Sequence, residues 1–439
     1  TGKDADRILT EVLSIIDTER TFANTLLRID DLYYTVSKVW SLIELLTSTH
    51  PFQDIRDEAD ENDLRIQEYM IDLSINDHLY HAILAYSKLK EAQKLAGGRK
   101  RFLKSELNEF KRSGMELEVD ERQKLKEIQI SISELSIAFS NNIRSSQDTL
   151  FIDSELTEGL PEDYKNERIQ PDGSYAIDLS HPSFYPFMKY ADSDSLRKRL
   201  RYMYLNIGSP ENLHILNKII SLCNELSEIL GYSSYASYII EESMAKTPGA
   251  VWEFENDLRK SIEMKAINDM EEMLDMKREV SGNNEVILYD WDKHYYENQI
   301  LRNRYSVNSE KVKEYFELST VIDGFFKITG ALFNIQYQEI NNPSIWHEDV
   351  TMFEVMDANS GEIIGRFYLD LFPRPNKYKH AAEFTIVSGK RIGDTYQIPV
   401  AALVCNFPKS AVNSPSLLLH DEVETFFHEF GHLIHDILS

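Results

Sequence analysis

Leu125, Ile128, Ile132, Leu135, Phe139 and Ile143 follow one another in steps of three and four over a long stretch of chain. Side chains spaced this way share one face of a helix, and a seam of that length predicts packing against a second helix, coiled-coil fashion. The opposite face carries only a mixed, modest charge and suits solvent. Ile8, Val12, Ile15, Ile16 and Phe22 recur at helical spacing too. The first third of the chain therefore reads as helix.

The pattern breaks near Gln147. Residues 151–188 hold four prolines, an Asp172-Gly173 pair and short apolar runs, which are loop and strand signals. Helical periodicity returns from about Ser193 to Val280, pauses at Ser281-Gly282-Asn283-Asn284, and resumes from Asp290 to Phe333. From Trp346 to Phe407 the character is β. Phe353–Met356 and Ile363–Leu371 flank the polar loop Asp357–Gly361, a hairpin signature. Phe384–Val387 and Ile398–Phe407 are two more strand candidates. After Pro408 and Pro415 a last helix is expected from about Leu417 to Ser439. Three regions follow: a helical 1–150 with the long seam, a mixed then helical 151–340, and a β-sheet with a final helix over 341–439.

At 439 residues the chain exceeds one ordinary hydrophobic core. A formal net charge of −26 argues against a nucleic-acid partner, whose phosphates demand a surplus of Lys and Arg. It fits either an ordinary soluble acidic surface or attraction of cationic peptides. Two cysteines, Cys223 and Cys405, exclude a disulfide scaffold and suit a reducing compartment. The start Thr1-Gly2-Lys3 shows neither signal nor transit peptide and no initiator Met, so a processed or engineered N-terminus is expected. No apolar stretch approaches a membrane span. A cytosolic location is expected, with the mitochondrial intermembrane space as the alternative.

The last helix carries the chemistry. His428-Glu429-Phe430-Gly431-His432 is an HExxH pattern. Positions i and i+4 share a helical face, so the two imidazoles converge on one metal ion, and Glu429 is placed to act as general base on a metal-bound water. A bare match of this kind also describes a plain polar helix face. Val423, Phe426, Phe427, Leu433, Ile434 and Ile437 make the helix apolar over most of its circumference, which predicts burial, and buried histidines need a partner such as zinc. His435 shares the face, but a rise of about 1.5 Å per residue sets it roughly 10 Å from His428, too far for one ion. Two ligands and a base are present; a catalytic zinc uses three protein ligands. The chain stops seven residues after His432, which reads as an enzyme truncated before the end of its catalytic lobe.

The run LLLHDEVETFFHEFGHLIHDIL closely resembles the thimet oligopeptidase, neurolysin and saccharolysin family of zinc oligopeptidases. GRFYLDLFPRPNKYKHAAEFTI, AALVCNF, ESMAKTP, LYDWDKHYY and WHEDVTMFEVMDANSGEIIG resemble blocks of the same family in the same order, from about residue 60 to the end. The resemblance implies a mostly α, two-lobed zincin-type metalloendopeptidase with a small β-sheet beside the HExxH helix. It implies a narrow channel that admits only short unstructured peptides. It also implies one Zn²⁺ held by His428, His432 and a Glu some two dozen residues further on, with Glu429 as base. That Glu, later peptide-binding Tyr and His residues and much of the second lobe would come from a missing C-terminal segment. The family's KYGHA stretch reads Tyr378-Lys379-His380 here, and His380 is expected to face the channel. The strand Ala401–Cys405 is either an edge that pairs with an extended peptide or an ordinary buried strand. Two other functional readings stand beside the oligopeptidase: a catalytically silent peptide-binding protein, and one half of a split enzyme.

Overall fold

The computed structural model describes residues 2–410 and 415–439. It is mostly helical with small sheets, and it divides into two compact units. The first comprises the chain up to Asn141 with Asn212–Pro248 and Ile386–Ser388. The second comprises Asn142–Glu211, Gly249–Thr385 and Gly389–Ser439.

In the first unit, helices Gly2–Leu13, Leu27–Thr49, Gln53–Ser74, Asp77–Ser87 and Gly97–Arg112 enclose a core around Leu26, Ile29, Leu32, Ile83 and Tyr86. The long seam lies on α1 (Val119–Ser145). Its Leu125 and Ile128 pack with Leu226 of α2 (Glu211–Ile229), as the spacing predicts. The seam is buried only at that end, and Ile143 is exposed. The first helix is shorter than its pattern suggests. It stops at Leu13, Ile16 is exposed, and a new turn starts at Thr21, whose side chain accepts the Asn24 N–H.

The second unit begins with a two-stranded ribbon, Thr149–Ile152 against Tyr175–Asp178. The proline-rich stretch after it, expected as loop and strand, ends in a helix, His181–Tyr190. Pro182 sits in the first turn, where its missing N–H costs nothing. Pro186 would leave the Pro182 carbonyl without its helical partner. Arg168 Nη2 fills that role at 2.9 Å, so the helix survives its second proline.

Beyond it run α3 (Pro248–Ser281), α4 (Lys293–Asn303) and α5 (Leu318–Phe333), then the main sheet. Its strands are β1 (Ile335–Glu339), β2 (Thr351–Asp357), β3 (Ile363–Asp370), β4 (Ala382–Val387) and β5 (Val400–Val404), in the order β1-β2-β3-β5-β4. The hairpin β2–β3 turns where Asp357 accepts the N–H groups of Asn359 and Ser360, and Gly361 takes a φ of +71°. β3 and β5 pair in parallel, Phe367 opposite Ala401 and Leu369 opposite Leu403. The last helix is α6 (His420–Leu438).

One face of the sheet receives α6. Phe426, Phe430, Leu433, Ile434 and Ile437 enter a core with Phe325 and Val321 of α5, Phe367 and Leu369 of β3, and Ala401 and Leu403 of β5. Phe430 lies 4.4 Å from the Phe325 ring and 5.4 Å from that of Phe367. Helix and strand approach closely because position 365 is glycine: a Cβ there would meet Ile437 Cγ2 at 2.7 Å. The expectation that α6 is buried nearly all round is corrected here. Its apolar residues segregate to the sheet side, leaving only Phe427 of the large ones clearly exposed near the motif, while His428 and His432 face solvent.

Candidate metal centre

The HExxH residues sit in the middle of α6, held by the apolar side just described. Glu422 reaches back to accept the Leu419 N–H at 2.7 Å and so fixes the start of the helix. Burial pushes its carboxyl up to about 7. Two turns on, His428 and His432 point the same way, their Nε2 atoms 3.3 Å apart and their rings inclined at 78°. Two nitrogens each about 2.0–2.1 Å from one tetrahedral ion lie about 3.3–3.4 Å apart. The pair is thus already spaced to share a metal. Glu429, half-buried, sits one residue round. Among the described residues no group of three or more His, Cys, Asp or Glu is placed to hold a metal ion. His435 is exposed and does not join the pair.

The opposite wall is the segment that joins β3 to β4. Burial, and then the charge of Glu429, raises the Tyr378 phenol. Glu383 on β4 is pushed up to about 7 by burial, by Asp436 and by Glu429. Asp436 lies on α6 one turn beyond His432, and burial raises its carboxyl. Acidic groups therefore cluster beside the histidine pair. His380 is exposed, and its ring meets that of His181 edge-on at 4.6 Å. Lys379, where the family pattern has Gly, turns to donate to the Ser146 carbonyl at 3.2 Å.

What holds this wall is a buried ionic clamp that no periodicity announces. Lys377 is fully buried, and its ammonium donates to the carbonyls of Asp370 (2.9 Å), Phe372 (2.7 Å) and Cys405 (2.7 Å). It also pairs with Asp370 Oδ1 at 2.8 Å. Arg374 clamps the same carboxylate through two nitrogens at 2.7 Å, and Trp346 Nε1 donates to it at 2.8 Å. Asn406 Nδ2 then donates to the carbonyls of Tyr378 (2.9 Å) and His380 (2.8 Å). Buried charges need this degree of pairing to be tolerated.

The strand order decides between the two readings of Ala401–Cys405. Ala401–Val404 is interior, flanked by β3 and β4 and fully buried, so the buried-strand alternative holds. The edge strand on the histidine side is β4, which has one sheet neighbour.

Residues 187–439, more than half of the chain, match the model of Peptidase family M3. The chain belongs to that family. Among its relatives, the thimet-like oligopeptidase of Dictyostelium discoideum is 34% identical, over 98% of this chain and 66% of the relative. Saccharolysin of Saccharomyces cerevisiae is 34% identical over 88% and 57%. Oligopeptidase A of Escherichia coli is 29% identical over 94% and 62%. The M3 chain thus spans less than two thirds of the length of these relatives. A solved chain described as an oligoendopeptidase F from Bacillus anthracis shares the fold, with a TM-score of 0.54 at 14% identity, over 98% of this chain and 64% of that one. No helix among the described residues is long and apolar enough to cross a membrane.

Proposed function

We propose that the M3 chain carries the histidine pair and the general base of a zinc-dependent oligopeptidase that hydrolyses short unstructured peptides. The observation that carries this reading is the 3.3 Å separation of His428 and His432 Nε2 on one exposed helix face, with Glu429 beside them. Zinc bound by this pair would supply Lewis acidity and an acidified water. Glu429 accepts the proton of the attacking water at its carboxylate and returns it to the leaving amine nitrogen. The edge of β4 offers backbone N–H and C=O groups to an extended peptide, which gives affinity without demanding one sequence. Tyr378 and His380, pinned by Asn406, flank that edge.

Catalytic zinc takes three protein ligands, and the described residues bring two together. On this reading the third comes from polypeptide outside these 439 residues, and the chain by itself turns over little or no peptide.

The test uses the chain as it stands. Glu429→Gln keeps the zinc stoichiometry of the unaltered chain, because Glu429 is not a ligand, whereas His428→Ala and His432→Ala each weaken zinc binding more than tenfold. In a longer form that cleaves a fluorogenic peptide, Glu429→Gln lowers turnover by about 10²–10⁴-fold with metal retained. Loss of metal in Glu429→Gln overturns the role given to Glu429.

A further inference from the structure

The last helix leaves little apolar surface exposed, but another helix leaves a great deal. α3 runs for 34 residues, and Met276 is its one buried side chain. Its C-terminal turns are anchored: Met276 packs with Tyr295, Tyr296 and Ile300, and Arg304 of the following turn pairs with Glu272 at 2.9 Å. The N-terminal turns differ. Val251, Phe254, Leu258 and Ile262 fall within one stripe at steps of three and four, with Phe254 66% and Ile262 49% exposed. Trp252, Ile267 and Met270 fall on the other side, with Trp252 68% exposed. The first stripe is open over about 17 Å of helix, whereas on the other side the apolar residues are interspersed with the exposed Asn256, Arg259 and Glu263.

A helix with an exposed apolar stripe of this kind normally has that stripe covered. The surface involved is on the order of several hundred Å², as large as the largest patches that ordinary monomers show. It is not a peptide groove, because a single convex helix has no concavity to enclose a ligand. It has the character of an internal packing surface.

We infer that this stripe of α3, Val251 to Ile262, is the docking surface for the portion of an M3 polypeptide that the chain does not span. The relatives supply the occupant: more than a third of their length has no counterpart here. The inference stands on family membership and on exposure, and not on the chemistry proposed for His428, Glu429 and His432, so either can fail alone.

The test is thiol accessibility. The native Cys223 and Cys405 are buried, so a Leu258→Cys variant reports on α3 against a low background. In the 439-residue chain the new thiol reacts freely with a maleimide. In a fusion that appends the region of saccharolysin not spanned here, its rate falls more than tenfold, while a Glu285→Cys control in the exposed loop after α3 stays fast. An unchanged rate in the fusion overturns the inference. A thiol at the aligned position of intact saccharolysin gives the same answer without a fusion: unreactive supports the docking, reactive overturns it. Sedimentation of the chain alone covers the remaining occupant, because a dimer abolished by Leu258→Lys would show that a second copy fills this surface.

Discussion

Replacing Lys377 with Met tests whether the wall facing the HExxH helix is held by the buried clamp. Met matches the length of the lysine stem but donates nothing. Two buried carbonyls, those of Phe372 and Cys405, lose their donor at once, while that of Asp370 keeps the Cys405 N–H at 2.9 Å. Each unmet acceptor costs about 1 kcal/mol at the low end, so the loss is about 2 kcal/mol. The upper bound is about 5 kcal/mol, the cost of stripping a buried ion of its partner. That bound is not reached, because Asp370 keeps both bonds from Arg374 and the one from Trp346. Trp346 is a built-in reporter, since its indole N–H contacts the carboxylate that Lys377 leaves. Urea unfolding followed by tryptophan fluorescence should show the midpoint of the second unit falling with an unchanged slope. A change below about 1 kcal/mol would make the clamp a bystander. Lys377→Arg should not rescue, because a fully buried site has no room for the larger head.

Gly365→Ala should destabilise by about 1–3 kcal/mol, since the added methyl meets Ile437 at 2.7 Å, yet leave zinc affinity intact because both histidines ride on one helix; calorimetry with metal titration separates the two effects. Glu422, held up at about 7 by burial, favours the folded state while protonated. That contribution is fully present below the ordinary carboxylate range and is lost as pH rises through about 7. Glu422→Gln should therefore flatten the fall in stability between about pH 5 and about pH 8, and an unchanged pH profile counts against the assignment. Phe430→Ala, which empties a fully buried aromatic site between Phe325 and Phe367, should cost about 3–5 kcal/mol; a thermal melt within a degree of the unaltered chain would show that the site collapses without penalty.

How far the sequence reached depended on whether a feature was local. The Leu125–Ile143 seam and the His428/His432 pair are set by helical periodicity: the two histidines meet as their spacing predicts, and the seam lies on one helix but is buried only at its Leu125–Ile128 end. The β2–β3 hairpin was legible from Asp357 and Gly361 for the same reason. Strand order was not, because β5 reaches β3 across an intervening strand and only three-dimensional pairing decides which strand becomes the edge. Pro182 and Pro186 read as loop because the carbonyl donor, Arg168, lies more than a dozen residues upstream. α6 read as apolar all round because aromatic residues on one broad side dominate its composition, while the histidine stripe is narrow. Lys377 gave no signal at all, since a lysine between Asn376 and Tyr378 looks like solvent-exposed loop until its three carbonyl partners are in place.

The proposed function requires His428 and His432 to bind one metal through their Nε2 atoms. Zinc K-edge absorption on the metal-loaded chain tests it most directly. The expected spectrum shows imidazole scattering from two nitrogens at about 2.0–2.1 Å, falling to one in His432→Ala and unchanged in Glu429→Gln. A spectrum without imidazole scattering, or one that His432→Ala leaves unaltered, would contradict it.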